Sequence, residues 1–312
     1  MHKLTRHLSN LGSLGWNCGL TQASVEQILA VGFRGENAIL ATVASELALE
    51  CKPITLRGLF YRVVSAGFLP DTSVQHYKRL MRVLSSLRSH GVVPYTWIVD
   101  SLRSTMKPPS WSGLADFADT VRDAYRKDFW HHLDDYVHVF CEKDAIAAVI
   151  QPVTEEFNVR LSPIRGYCSD TFAHEVGSLW KRIKKPIHAF YLGDYDASGF
   201  DIERDVVSKL KVHCGRDFQW TRLGINQSDF DDFSLLKLPA KISDRRYAAF
   251  IKTHGSACAE IDALPPQEIR RRVEESIRSF VPTAEWQRLE LVEELERETF
   301  QKAIVSLEVT LN

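Results

Sequence analysis

The spacing of apolar and polar positions predicts two different grammars along the chain. From Glu36 to Cys51 apolar residues recur at helical intervals. Pro53 interrupts that pattern, Thr55 can cap a second helix running to about Ala66, and Phe68-Leu69-Pro70-Asp71 reads as a turn. Thr72 or Ser73 then opens a third helix that ends before His90-Gly91, and Val92 to Val99 reads as extended structure broken by Pro94. Three helices followed by a short strand pair is the order of a winged helix-turn-helix. Beyond Lys107-Pro108-Pro109 the pattern changes. Short apolar runs at 136–141, 159–164 and 187–192 alternate with helical stretches at 144–157, 169–184 and 202–212. That alternation predicts a parallel sheet covered by helices. Residues 1–30 read as a partly ordered lead-in, and Pro266 to Ile304 as charged helices.

The expected fold class is therefore α/β plus α. Its expected divisions are a lead-in at 1–34, a winged-helix domain at 35–107 and a linker and helix at 108–132. A parallel-sheet domain follows at 133–265, and C-terminal helices at 266–312. Composition agrees with a soluble globular chain: of 312 residues 45% are apolar and 25% charged. These values exclude collagen-like and disordered classes, and no apolar run is long enough to span a membrane. The basic N-terminus lacks the apolar stretch of a secretory signal. Six cysteines without a CxxC pair argue against a zinc ribbon or disulfide framework and make a reducing cytoplasm the default compartment.

The net charge is only −1, but its distribution is uneven. Between Lys52 and Lys107 nine basic residues face two acids, Asp71 and Asp100, a net of +7. On the second helix Leu56, Leu59, Phe60, Val63 and Val64 form an apolar stripe, while Arg57, Tyr61 and Ser65 fall on another face, away from the expected core. On the third, Val74, Tyr77, Leu80, Met81, Leu84 and Leu87 are expected inside. Lys78, Arg79 and Arg82 lie opposite, with Arg88 in the last turn. A basic face after a turn suits entry into a DNA groove with phosphate contacts at its flanks, although such faces are commonly just solvated.

Two acidic signals end apolar strands: Glu142, in Cys141-Glu142-Lys143, and the pair Asp194 and Asp196, in Gly193-Asp194-Tyr195-Asp196. In a parallel sheet both endings fall on the carboxyl edge, where ligands bind. Gly193 would allow a bend that turns both aspartates toward one ion. Three carboxylates without His or Cys suit a hard ion, Mg2+ or Mn2+, that polarises a phosphate. The plain alternative is that Asp196 or Ser198 caps the following helix. Glu260-Ile261-Asp262 is a weaker signal for an added ligand.

The order of these parts resembles the A subunit of type IIB DNA topoisomerases, the family of topoisomerase VI and the meiotic double-strand-break transesterase. The resemblance rests on Arg57-Gly58-Leu59-Phe60-Tyr61, Glu142-Lys143 and Gly193-Asp194-Tyr195-Asp196, and covers roughly residues 52–212. It implies a winged helix carrying a tyrosine nucleophile joined to a Toprim domain. Tyr61 would form a 5′-phosphotyrosyl link to double-stranded DNA, Arg57 would steady the phosphate, and Glu142, Asp194 and Asp196 would hold magnesium. It also implies a homodimer working in trans and a separate ATPase subunit. Phe60 departs from the family, which often has a second tyrosine there, and the sequence carries no ATPase region. A free-standing relative, as found on mobile elements, fits better than a complete topoisomerase. Two alternatives remain: a hydrolytic Toprim nuclease of the mobile-element or anti-plasmid type, in which Tyr61 is incidental, and a non-catalytic DNA-binding subunit.

Overall fold

The computed structural model describes residues 2–99, 108–240 and 242–311. Asp100, Arg103 and Lys107 of the basic segment lie outside the described residues. The chain begins with two helices, α1 (His2–Ser13) and α2 (Gln22–Ala30), where a partly ordered lead-in was expected. Leu4, Val25, Leu29 and Ala38 form a small apolar cluster there, which is why these residues fold. Next come α3 (Glu36–Cys51), β1 (Ile54–Thr55), α4 (Leu56–Ser65), α5 (Val74–Ser89) and β2 (Ile98–Val99). Thr55 and Ser73 are the caps of α4 and α5, their side-chain oxygens accepting from the backbone N–H of Gly58 and His76. The strand pair differs from a hairpin wing, because β1 and β2 run parallel.

After α6 (Leu114–Ala124) the alternation is regular: β3 (Tyr136–Cys141), α7 (Asp144–Glu156), β4 (Arg160–Pro163), α8 (Asp170–Arg182), β5 (Ile187–Leu192), α9 (Ala197–Cys214) and β6 (Gln219–Arg222). The chain then continues through α10 (Asp229–Asp232), β7 (Leu238–Pro239), α11 (Tyr247–His254), β8 (Ala257–Cys258), α12 (Pro266–Arg278) and α13 (Thr283–Leu311). Four strands pair in the order β4-β3-β5-β6, all parallel. The mixed architecture thus contains a parallel sheet and many helices. Side chains alternate across it as a period of two requires. Val137, Val139, Phe190 and Leu192 face Ile146 of α7 and Ile269 and Val273 of α12, whereas Phe140, Ala189 and Tyr191 face Trp180 of α8 and Val206 and Leu210 of α9.

The first of these clusters is continuous with the N-terminal helices, running through Leu40, Leu59, Phe60 and Tyr61. Two helix faces consequently differ from their sequence pattern. On α5, Leu80, Val83, Leu84 and Leu87 are buried, while Val74 is 68% and Met81 43% exposed, so the buried stripe is rotated to include Val83. On α4, Tyr61 is 4% exposed instead of solvent-facing. Its face is covered by the turn Ile261–Ala263, which comes close because Gly58 has no side chain. A Cβ there would lie 3.2 Å from the Asp262 carbonyl oxygen.

Candidate active site at the carboxyl edge of the sheet

The first crossover leaves β3 toward β4, and the next strand, β5, lies on the other side of β3. The carboxyl ends of β3 and β5 therefore flank the point where the strand order reverses, the usual ligand position in an open α/β sheet. Glu142 follows β3 directly and Asp194 follows β5 by one residue, and both are buried, at 9% and 7% exposure. They are tied together: the Glu142 N–H donates to the Leu192 carbonyl (2.9 Å), and the Asp194 N–H donates to Glu142 Oε2 (3.1 Å).

The intervening Tyr195 turns into the core, its hydroxyl donating to Gln227 Oε1 (2.7 Å). Asp196 points outward and caps α9, with Oδ1 accepting from the Gly199 N–H at 2.7 Å. The capping role foreseen for Asp196 is thus present. Gly193 has no positive φ. Its lack of a side chain makes room for the Tyr191 ring and for Gly224, whose own Cβ would fall 2.5 Å from the Gly193 carbonyl oxygen. Close approach, not left-handed bending, is the reason for glycine there. Arg222, at the end of β6, donates to the carbonyls of Gly193 and Asp194 and pins this loop.

A third acidic segment joins the edge. Tyr195 and Ala259 form an antiparallel bridge, with N–H to carbonyl distances of 2.9 and 3.1 Å in the two directions. This bridge brings Glu260 and Asp262 beside Asp194, whose Oδ1 accepts from the Ile261 N–H at 2.9 Å. The Lys143 ammonium sits among them, 2.9 Å from Asp194 Oδ2 and 3.3 Å from both Glu260 Oε2 and Asp262 Oδ2. Asp262 Oδ1 accepts from the Thr55 hydroxyl at 2.7 Å, tying the start of α4 to the same place. Glu260 and Asp262 are thus held by Lys143, Arg57 and Thr55.

The nucleophile expected on α4 reaches this edge within its own chain. Arg57 Nε lies 2.9 Å from Glu260 Oε2, and Tyr61, one helical turn on from Arg57, feels the charge of both groups. Tyr61 and the acidic edge were expected to need no contact inside one chain. The turn at 261–263 docks on α4 and creates that contact. Burial, reinforced by Glu260 and opposed by Arg57, pushes the Tyr61 phenol up to about 12.

Charge is unevenly compensated across the edge. Burial disfavours the Lys143 ammonium, yet Asp194, Asp262 and Glu260 outweigh it and hold its pKa above the ordinary lysine value. Burial likewise opposes the Glu260 anion, but Lys143 and Arg57 keep its pKa below the usual carboxylate range. Glu142 is compensated less: burial, reinforced by Asp194 and Asp196 and only partly offset by the Asp194 N–H and Lys143, pushes it up to about 7. The Tyr191 hydroxyl, whose pKa is raised by burial and by Glu142, is buried without a hydrogen-bond partner.

Among the described residues no ready-made group of three His, Cys, Asp or Glu side chains is arranged around a metal position. The oxygen donors still suit a hard ion. Glu142 and Asp196 offer carboxylates, and Asp194 offers one in exchange for its ion pair with Lys143.

Of the basic residues on α5, Lys78 and Arg82 are exposed. Arg79 is folded back onto the start of α3, donating to Asn37 Oδ1 (2.8 Å) and pairing with Glu36 (3.0 Å). Arg88 stacks over the Tyr95 ring, 4.3 Å from its centroid. Arg222 carries no distinguishing sequence signal of its own, and Lys143 is marked only as the neighbour of Glu142. No helix among the described residues is long and apolar enough to cross a membrane. No protein-family model matches this chain, and no curated protein is significantly similar to it.

Proposed function

We propose that the protein cleaves DNA strands by metal-dependent transesterification, Tyr61 attacking a backbone phosphate and remaining joined to the 5′ end. The observation that carries this reading is the meeting of Arg57 and Tyr61 with the Glu142–Asp194 edge through Glu260 and Lys143. A winged-helix reading of α3–α5 is supported by the capped helix after a turn with Lys78 and Arg82 outward. A Toprim reading of the sheet is supported by its all-parallel order and by a Glu and a DxD at its switch point.

In this reading Lys78 and Arg82 contact phosphates, and Arg57, with 58% of its side chain exposed, steadies the phosphate under attack. Glu142, Asp196 and Asp194 hold Mg2+ or Mn2+. Such an ion would supply the positive charge that polarises phosphoryl oxygens and stabilises a leaving oxygen. Glu142, poised near neutral pH, takes the ionised form when a cation replaces the repulsion of its acidic neighbours. The Thr55–Asp262 and Arg57–Glu260 contacts hold α4 at the correct height above the edge.

One observation favours hydrolysis instead. Tyr61 is almost wholly covered and its phenol is more basic than usual, which suits a packing residue better than a resting nucleophile. Incubation with supercoiled plasmid and Mg2+ or Mn2+, quenched with SDS and run with and without protease, separates the two. Linear DNA released only after proteolysis, and lost in Tyr61→Phe, supports transesterification. Product that needs no protease and survives Tyr61→Phe supports hydrolysis.

A further inference from the structure

We propose that Arg165 grips the DNA backbone on the β4 flank of the acidic edge, binding one phosphate there; the assignment rests on the proposal that this edge acts on DNA. Arg165 lies just beyond the end of β4, the strand next to β3. Two backbone hydrogen bonds tie its loop to the edge. The Ile164 N–H donates to the Cys141 carbonyl (2.8 Å), and the Gly166 N–H to the carbonyl of Glu142 itself (3.4 Å). The arginine therefore leaves the backbone beside the first of the edge carboxylates.

Its guanidinium is anchored by one nitrogen only. Arg165 Nε lies 2.9 Å from both carboxylate oxygens of Asp144, the first residue of α7. Among the described residues neither Nη1 nor Nη2 has a hydrogen-bond partner, and the side chain is 73% exposed. Arg57 is held in the same manner, through Nε on Glu260. The other arginines near the edge are engaged by the protein. Arg222 donates to Glu203 and to the carbonyls of Gly193 and Asp194, and Arg246 donates to Asp201, Asp244 and Ser198. A planar fork fixed at Nε, with both terminal nitrogens open to solvent, suits the oxygens of a phosphate.

Stability does not account for arginine at this position. The chain turns through two successive residues of positive φ, Arg165 at 61° and Gly166 at 88°. Left-handed backbone brings Cβ against the following carbonyl oxygen, so glycine or asparagine suits such a position and arginine does not. Asn158, at φ 49°, is a residue of the favoured type in that conformation. What arginine adds is an ion pair whose cation is mostly in water, and such pairs stabilise little. A disfavoured backbone conformation kept for an outward guanidinium points to a ligand for that guanidinium. At an edge proposed to hold one backbone phosphate, the fitting ligand is another phosphate of the same DNA.

The test measures binding of a fluorescent DNA duplex by anisotropy over a range of NaCl, with Mg2+ held at one low concentration. Wild type is compared with Arg165→Asn, Arg165→Lys and the double variant Arg165→Asn/Asp144→Asn. Asparagine adopts positive φ readily, so Arg165→Asn should melt at or above the wild-type temperature. Its dependence of log Kd on log salt should nevertheless be shallower by about 0.9, the loss of one phosphate contact. Arg165→Lys keeps the charge and should keep the wild-type slope. The double variant has the wild-type net charge but no guanidinium, and should bind as weakly as Arg165→Asn. An unchanged slope in Arg165→Asn overturns the assignment. So does a double variant restored to wild-type binding, which makes the effect one of general charge. Equal loss of slope in Arg165→Lys and Arg165→Asn also overturns it, since the arginine then only shapes the loop. Wild type that binds no DNA removes the DNA reading of the edge together with this assignment, an outcome recognisable before any variant is made.

Discussion

Replacing Glu142 by Gln should make the protein more stable at alkaline pH while abolishing cleavage. The folded Glu142 carboxyl titrates near pH 7, against about 4.5 for a free side chain, because it is buried and faces Asp194 and Asp196. Below pH 4.5 it is protonated both folded and unfolded, and the substitution changes little. Between 4.5 and 7 the folded state keeps a proton that the unfolded chain releases, so wild-type stability falls as pH rises. Above pH 7 the full cost is present: the gap of roughly 2.5 pH units, at about 1.4 kcal/mol each, amounts to about 3 kcal/mol. Gln resembles the protonated acid and escapes that cost. Melting curves of both proteins in EDTA should coincide near pH 4.5. At pH 8 they should diverge by about 6 °C in favour of Glu142→Gln, taking roughly 2 °C per kcal/mol for a chain of this size. Adding Mg2+ at pH 8 should raise the wild-type Tm more than that of the variant, because the ion binds the folded wild type preferentially. A variant less stable than wild type at pH 8, or a difference that does not change with pH, would refute the reasoning.

Two further outcomes follow from particular contacts. Gly224→Ala places a methyl group 2.5 Å from the Gly193 carbonyl oxygen, against backbone that cannot swing aside. It should cost about 1–3 kcal/mol in urea denaturation and displace the Asp194 loop, whereas Gly113→Ala, with nothing within 4 Å and an extended backbone, should be close to neutral. In DNA-binding titrations, Lys78→Ala and Arg82→Ala should each flatten the dependence of log Kd on log salt by about 0.9, the loss of one phosphate contact. Arg79→Ala should leave that slope almost unchanged, because its guanidinium is spent on Glu36 and Asn37. Equal slope changes for all three would mean that the α3 contact opens on binding.

What the sequence made legible was what is local. The apolar runs of β3 and β5 and the helical pattern of α3 appear at the expected bounds, because a strand buried on both faces and a helix packed all round announce themselves in a few residues. Thr55 and Ser73 cap their helices through their own backbone neighbours. Helix α9 begins five residues earlier than its apolar pattern suggests, at Ala197, since Asp196 caps it and Ala197-Ser198-Gly199 offers no apolar run to announce the first turn. The same aspartate carries the DxD signal, so capping and ligation were competing readings of one residue.

The rest was hidden by distance along the chain. Whether Tyr61 faces solvent depends on a turn some 200 residues later, and α4 taken alone gives only an amphipathic helix with a second, polar-looking face. Gly58 was the available clue, since a glycine inside a helix can mark a close backbone approach. The position of Glu260 beside Lys143 and Arg57 was similarly veiled. Glu260-Ile261-Asp262 repeats the alternating acidic pattern of Asp194-Tyr195-Asp196, but the pairing of Tyr195 with Ala259 that aligns the two segments is long-range. Lys143 was visible beside Glu142, yet nothing local says that its ammonium bridges three acids from two other segments.

That bridge explains why the edge should need a divalent ion before it can accept a phosphate. Glu142, Asp194, Asp196, Glu260 and Asp262 bring five acids to the edge, and Lys143 and Arg57 bring two cations, a deficit of three charges when all are ionised. Folding does not remove the deficit. It moves it onto the neighbouring Glu142 and Asp194, whose proton affinities both rise to meet it. A DNA phosphate approaching such an edge adds to the repulsion, whereas a divalent ion reduces the deficit to one and releases the Glu142 proton. Metal binding should therefore precede productive phosphate binding at this edge and expel protons. Calorimetry of Mg2+ binding at pH 7 in buffers of different ionisation enthalpy would reveal that release, and a heat independent of the buffer would mean that Glu142 is not a ligand.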